Sequence, residues 1–407
     1  MSQSVELYTQ VSSFEPLLPS TKREELAELT CHILREAGHL GGLLPAVIVR
    51  ERISQLVREM NSYYSNLIEG HKTYPPDIEK ALNENFSDQP LKRTNQHLAR
   101  AHIQVEEVMI QHLEANTALD IHHPDFVCWL HREFYQRLPA DLQTGQKMDS
   151  SNYQIAIGGF RDYEVRIAAH QPPHFGAVPD FMRRFGEFYG SRRILATNQL
   201  IALAAAHQRL AWIHPFGDGN GRVTRLHTHA WLHRCKVSAF GLWTISRALA
   251  RQREEYYHRL NAADSTRLND FDGRGNLSDQ GLADFCVFFL KSMLDQIQFM
   301  SALLDLPNLT RRIEAHLHVA HANWSLPQRE QVARLLKAAL IEGTVDRGAV
   351  PLIIGRKVTS ASAIIRLAIE AGLIDSTSPT KGSLSLVFDS NVLDSYFPKL
   401  FQDLPLA

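Results

Sequence analysis

Apolar residues recur at helical spacing along most of the chain. Between Lys22 and Ala37, Leu26, Leu29, Ile33 and Leu34 follow a 3.6-residue period. Gly38, Gly41, Gly42 and Pro45 then interrupt it. A second helix is predicted from about Val47 to Ile68, with Val49, Ile53, Leu56, Val57, Met60 and Tyr64 along one side. Gly70 stands where a capping glycine would. Further helical patterns cover 96–117, 125–136, 178–190, 195–213, 220–234, 243–262 and 278–304. Residues 1–20, punctuated by Pro16 and Pro19, read as an extended arm, and Lys72 to Pro76 as a turn.

Two breaks in this pattern carry information. Residues 149–175 contain Gly158–Gly159, the alternation Tyr163/Val165/Ile167 and Pro172–Pro173, which predict a short hairpin or strand-like flap. His214 to Gly221 separates two strong helices. After Pro307 the character changes: helices are predicted at 308–321, 328–342 and 358–371, followed by a strand run at Ser383–Phe388. That order is the one a winged helix-turn-helix produces. The expected fold is an all-α bundle with a short β-hairpin flap and a small C-terminal winged-helix-like α+β domain. The expected divisions are 1–95, a helical region; 96–304, the core; and 305–407, the C-terminal module.

Composition narrows the picture modestly. A chain of 407 residues with 44% hydrophobic content can hold two or three domains with real cores. Lys and Arg number 43 against 44 Asp and Glu, so no global field favours nucleic acid or an acidic membrane. Residues 308–407 carry 11 basic and 9 acidic side chains, and the helix 358–371 holds only Arg366, with Arg356 and Lys357 before it. DNA binding stays open there, but dimerisation or target docking is favoured. Cys31, Cys128, Cys235 and Cys286 show no metal or disulfide spacing and are expected as buried free thiols. No signal peptide is visible in MSQSVELYTQ, and no uninterrupted apolar run reaches the roughly 18 residues of a membrane span. These features predict a soluble, cytoplasmic protein with no membrane partner.

The sharpest chemistry lies in His214-Pro215-Phe216-Gly217-Asp218-Gly219-Asn220-Gly221-Arg222-Val223-Thr224-Arg225. Three glycines in five residues before a helix allow backbone amides to face an anion at a helix N-terminus. Asp218 is a candidate Mg²⁺ ligand, because magnesium is usually held by one or two carboxylates plus phosphate oxygens. Arg222 and Arg225 can meet phosphate oxygens through paired hydrogen bonds. His214 suits removal of a proton from an attacking hydroxyl.

This run resembles the Fic-domain signature HPFx[D/E]GNGRxxR at every specified position. The resemblance implies a compact helical bundle that transfers AMP from ATP, with Mg²⁺, to a Ser, Thr or Tyr hydroxyl of a target protein. The chain itself counts among the candidate targets, and a homodimer is allowed. His214 resembles the general base and Asp218 the metal ligand. Gly219, Asn220 and Gly221 resemble an anion hole, Arg222 the γ-phosphate contact and Arg225 a second phosphate-side arginine. Gly158–Val178 resembles the flap that pairs with the target, making Phe160, Arg161 and Tyr163 substrate-side residues. Tyr256, Tyr257 and Asn261 fall where similar proteins line the adenine pocket.

Ser65-Asn66-Leu67-Ile68-Glu69-Gly70 resembles the inhibitory motif [S/T]xxxE[G/N] of the subgroup whose brake precedes the Fic domain. The resemblance implies that Glu69 pairs with the first loop arginine, Arg222, and so withholds the donor for the γ-phosphate. Two other readings stand beside transfer: removal of AMP from modified proteins, and a DNA-binding regulator whose Fic core is a sensor.

Overall fold

The computed structural model describes residues 8–146, 152–167, 170–190, 194–376, 378 and 382–402. Most of these are helical, and local sequence explains many of the helix ends. Helix α1 (Arg23–Gly42) buries Leu26, Leu29, Ile33, Ala37 and Leu40 on one face. Helix α2 (Val47–Ile68) ends in a Schellman turn: Gly70 takes φ 86°, its N–H donates to Leu67 O at 3.0 Å, and His71 N–H donates to Asn66 O at 2.9 Å. Glu69 is thereby fixed as the capping residue of α2. Helices α3 (Pro75–Leu82), α4 (Pro90–Ala115) and α5 (Pro124–Gln136) all begin with proline, where the missing N–H would be unsatisfied anyway. Only a turn was expected around the start of α3.

Strand β1 (Thr144–Gln146) pairs antiparallel with β2 (Asn152–Gln154), Gly145 lying opposite Tyr153. The flap expected over 149–175 therefore differs in detail, since its one named strand pairs with residues that precede the segment. Residues 155–167 and 170–174 have no regular strand and make a single bridge, Ile167 to His170; 147–151 and 168–169 lie outside the described residues. Pro172 and Pro173 have no N–H to offer a ladder. The Arg161 side chain binds three backbone carbonyls there instead.

The core follows as α6 (Val178–Tyr189), α7 (Gln199–Ile213), α8 (Asn220–Arg234), α9 (Ser246–Arg251), α10 (Arg253–Asp264) and α11 (Asp279–Leu304). The single helix expected over 243–262 breaks at Gln252, whose φ of −116° and ψ of 37° are not helical. Helix α11 packs against α1, α7, α9 and α10, and Leu282, Phe285, Phe289, Leu290, Met293 and Ile297 are fully buried. It is long and apolar enough to cross a membrane by length and composition alone. Enclosure by four helices accounts for that composition. Helix α7 is buried nearly all round, and its run Ala202–Ala206 lets α8 approach closely. Helix α8 is different: it is buried while carrying Arg222, Thr224, Arg225, His227, Thr228 and His229.

The N-terminal arm is docked rather than simply extended. It forms a 3₁₀ turn at Val11–Phe14, buries Phe14 and Leu17, and gives Pro16 O to Arg209 Nε at 3.0 Å. At the other end Asp305 caps α12 (Leu306–Ala320), accepting from Asn308 N–H at 3.1 Å, and so breaks the chain away from α11. Helix α13 (Leu326–Glu342) has a capping box formed by Ser325 and Gln328. Then come α14 (Val350–Ile354), α15 (Val358–Glu370), the antiparallel pair β3 (Ile374–Ser376) and β4 (Leu384–Leu386), and α16 (Leu393–Tyr396).

The cysteines meet the expectation of burial fully only at Cys286, and Cys128 and Cys235 are half-buried. Cys31 is exposed, because it lies two residues from both Leu29 and Ile33 and so points away from the buried face of α1. Burial pushes the thiols of Cys128 and Cys235 up to about 11, and Cys286 is fully enclosed. Alkylation requires an accessible thiolate. Iodoacetamide followed by peptide mass spectrometry is expected to modify Cys31 first and Cys286 only on unfolding.

Candidate active site

Helix α7 ends at His214 in a left-handed conformation, φ 50° and ψ 60°. This is uncommon for a residue with a Cβ and is held here from several sides. His214 N–H donates to Leu210 O at 3.2 Å, while His214 O accepts from Arg161 Nε at 2.9 Å. The next carbonyl, Pro215 O, accepts from Arg161 N–H at 2.9 Å. Burial, reinforced by His170 and Arg161, presses the His214 imidazole down to about 3, so it is neutral near pH 7 and can accept a proton.

The loop that follows closes on itself through Asn220. Phe216 N–H donates to Asn220 Oδ1 and Asn220 Nδ2 donates to Phe216 O, both at 2.9 Å. Gly219 takes φ 80°, and a Cβ there would lie 2.9 Å from the Tyr135 ring. Helix α8 starts at Asn220, leaving first-turn amides available to an anion. Asp218 is exposed at the lip; its Oδ2 accepts from the Tyr135 hydroxyl at 2.5 Å and lies 3.9 Å from Arg222 Nη1. Burial of its surroundings opposes its charge. Arg222, the Tyr135 hydroxyl, the Gly219 amide and His131 outweigh that, holding the carboxyl below its usual range. His131 accepts from Gly158 N–H at Nδ1, 3.0 Å, so Nε2 carries the proton and donates to Asp218 O at 3.2 Å.

The end of α2 packs against this loop. Arg225, buried on α8, donates from Nη2 to Glu69 Oε1 at 2.6 Å, from Nε to Ser65 Oγ at 2.9 Å and from Nη2 to Ser65 O at 2.9 Å. Arg222 Nε donates to Asn66 Oδ1 at 3.3 Å, and its guanidinium lies over the Phe134 ring. Burial works against the Glu69 carboxylate, but Arg225 and then Arg222 hold it below its usual range. A Cβ on Gly221 would fall 2.2 Å from Glu69 Oε1. The carboxylate thus sits against the first turn of α8, where an anion belongs.

Beside it is a cavity of about 160 Å³. Its lining includes Glu69, His170, His214, Gly221, Arg225 and Asp264 together with Trp212, Tyr256, Tyr257, Leu260 and Asn261. Charged and polar groups thus share one cavity with aromatic and apolar ones. Such a mixture suits a ligand with both anionic and aromatic parts.

Residues 119–232, from the turn before α5 to within α8, match the Fic/DOC family. The chain carries a Fic domain. It is 34% identical over 117 residues to protein adenylyltransferase Fic of Drosophila erecta, covering 29% of this chain and 22% of that protein. The corresponding Drosophila virilis protein is 33% identical over 117 residues, with 29% and 23% covered. The match therefore spans less than a quarter of the length of these curated relatives. Among solved structures, a Fic family protein from Desulfovibrio desulfuricans G20 superposes with a TM-score of 0.52 at 18% identity, covering 92% of this chain and 99% of that one. A Fic domain-containing signaling protein from Bacteroides thetaiotaomicron gives 0.51 at 19% identity, covering 66% and 96%. Both share the mostly helical fold.

Within the Fic domain and its flanks, the predicted residues do not all stand where expected. Glu69 pairs with Arg225 rather than Arg222. Arg222 is turned toward Asn66, Phe134 and Asp218, while Arg225, three residues on, faces the last turn of α2. The Asn220 side chain is engaged with Phe216, leaving only its backbone to meet an anion. Arg161 is 3% exposed and bound to the carbonyls of His214, Tyr163 and Pro173, so it organises the flap instead of presenting a group to a target. Phe160 is half-buried, 6.0 Å from the Phe216 ring. Tyr256 is buried with its hydroxyl on His207 at 2.8 Å, whereas Tyr257 and Asn261 are exposed on the cavity side.

Three participants were missed from sequence: His131, Tyr135 and Asn66. His131 and Tyr135 lie i,i+4 on α5, a spacing that puts both on one face. Asn66 is inside the quoted inhibitory motif. Among the described residues no cluster of three or more His, Cys, Asp or Glu side chains could cage a metal. A lone, accessible carboxylate beside an anion-binding loop does fit Mg²⁺, which takes its other ligands from phosphate and water.

Two measurements follow from this geometry. Glu69→Gly leaves Arg225 with Ser65 but without a carboxylate, and should lower the unfolding free energy in urea by about 3–5 kcal/mol. Histidine NMR of the nucleotide-free protein should show a signal, lost in His214→Ala, that does not titrate between about pH 8 and pH 5. The sign follows from burial: a depressed imidazole stays neutral as pH falls.

Proposed function

We propose that this chain is a protein adenylyltransferase that moves AMP from ATP to a Ser, Thr or Tyr hydroxyl of a target protein, and that Glu69 holds it off. The observation that carries this reading is the single cavity joining His214, the start of α8 and Arg225 to Tyr257 and Asn261, with the Glu69 carboxylate lodged inside it. Similarity to proteins named adenylyltransferases supports the same class.

The chemistry can be written with this chain's own groups. The target hydroxyl oxygen attacks the α-phosphorus of ATP and gives its proton to neutral His214. The bond from the α-phosphorus to the bridging oxygen breaks, and pyrophosphate leaves with the electron pair. First-turn amides of α8, with Arg222 and Arg225, face the charge on the phosphates. Mg²⁺ at Asp218 would neutralise phosphate oxygens when bound. Tyr257 and the apolar wall receive the base, and the flap buttressed by Arg161 lies beside His214 for a target segment.

The brake acts on the second arginine of the loop. With Arg225 held by Glu69, and the carboxylate packed against Gly221, incoming phosphate meets an occupied donor and a like charge. ATP is then excluded or bound with its α-phosphorus misdirected. Incubation with α-labelled ATP, Mg²⁺ and cell extract should give weak protein labelling by the wild type, strong labelling by Glu69→Gly and none by Glu69→Gly/His214→Ala. Absence of label in all three, with ATP binding intact, would sink the transferase reading. Equal labelling by wild type and Glu69→Gly would sink the brake.

A further inference from the structure

The last turn of α2 is gripped from two sides, and only one of them belongs to the active site. On the far side stands the C-terminal module. Tyr64, the residue before Ser65, donates its hydroxyl to Leu400 O at 3.1 Å and accepts from Gln402 N–H at 2.7 Å. Tyr63 donates to Gln402 O at 3.2 Å, and its ring packs 5.7 Å from Phe401. Arg247 Nη2 reaches Lys399 O at 2.9 Å and fastens the same segment to the core. Three turns earlier, Arg52 on α2 holds the β3–β4 hairpin. Its Nη2 donates to Asp375 Oδ2 and Ser385 Oγ, each at 2.8 Å, and its Nη1 to Leu386 O.

These contacts are specific. Tyr63 and Tyr64 are almost wholly buried, and Tyr64 meets a carbonyl and an amide two residues apart on one strand of chain. No apolar replacement would satisfy those backbone groups. Residues 63–66 then divide between the two grips. Tyr63 and Tyr64 bind the C-terminal segment, while Ser65 and Asn66 bind the two loop arginines.

We propose that residues 399–402, together with the β3–β4 hairpin, form a latch that holds α2 in its inhibitory position, so that the C-terminal module is the handle through which the brake is released. The proposal rests on the Glu69 reading above. Tyr64 and Arg52 act as positioning residues: neither lines the nucleotide cavity. Displacing the segment that carries Leu400 and Gln402 would free the Tyr64 side of α2 and weaken the Ser65 and Glu69 contacts with Arg225. A partner that engages the C-terminal module could do this without entering the active site.

The test uses the full-length chain with Tyr64→Phe, Arg52→Ala and their combinations with Glu69→Gly. Tyr64→Phe keeps the ring and removes the hydroxyl; Arg52 is partly exposed, so its loss leaves the core intact. Labelling with α-labelled ATP and the nucleotide's affinity are measured for each, with folding checked by circular dichroism. A latch predicts that each single variant labels faster than wild type by about three- to tenfold, the change expected from losing one or two hydrogen bonds. It also predicts tighter ATP binding, and no further gain from either substitution in the Glu69→Gly background. Unchanged labelling by both folded single variants, beside an active Glu69→Gly, would overturn the latch and leave the brake standing. Equal gains with and without Glu69 would overturn it too, because the effect would then bypass the brake. An inactive Glu69→Gly would remove both readings together.

Discussion

A guanidinium with 1% of its side chain exposed is the constraint around which this structure is arranged. Arg225 lies on a helix enclosed on every side, and an unpaired charge in such a place would be destabilising by several kcal/mol. An anion has to stand beside it. In this conformation the anion is Glu69, supported by the Ser65 hydroxyl and carbonyl. On the proposed reading, affinity for polyphosphate and the brake against it would be one physical requirement met by two alternative partners. The same reasoning explains why a helix as polar as α8 can be buried: its Thr228 bonds His207, and its His229 bonds Thr244.

Local backbone geometry sets how closely the alternatives compete. The Schellman turn at Gly70 ends α2 at the residue whose carboxylate is needed, and the bare Cα of Gly221 leaves room for it. A side chain at either glycine would disturb the placement of Glu69, since φ at Gly70 is 86° and a Cβ on Gly221 would collide with Glu69. His214 is fixed differently. Its left-handed turn is held by Arg161, a flap residue, which ties the proposed base to the segment expected to meet the target.

Much of this was legible beforehand, and the exceptions have physical causes. Helical period and glycine placement located α2, its end, and the loop before α8, because these are local properties. The signature His214–Arg225 pointed to the Fic-domain match from residues alone. Partner choice between Arg222 and Arg225 was not local: both leave the same face of α8, and the rotation of α2 decides which meets Glu69. The split of the expected helix 243–262 carries no proline or glycine at Gln252, so nothing in its pattern announced the break. Arg161 read as a substrate-side residue because Gly158–Val178 resembles a target-binding flap. Its burial depends on carbonyls of His214 and Pro173 that come together only in the fold. The docking of α2 on the C-terminal segment joins residues more than 330 positions apart and has no sequence signature.

The arrangement of α2 constrains how the proposed brake would be lifted. Consecutive residues Tyr63 to Asn66 project about 100° apart around a helix, and all four are buried. Glu69, by contrast, caps the helix with 29% of its side chain exposed. Lifting the proposed brake would then swing Glu69 toward the cavity, move α2 as a body, or exchange the carboxylate for another anion. If the braked state is favoured about a hundredfold, the apparent affinity for nucleotide falls by the same factor, because only the competent fraction binds. A nucleotide entering unaided must supply that difference through its own phosphate contacts, at about 1.4 kcal/mol per tenfold. Any interaction that shifts α2 contributes to the same equilibrium from outside the cavity. Control can then be placed far from His214 without altering a single group that touches the reacting phosphorus.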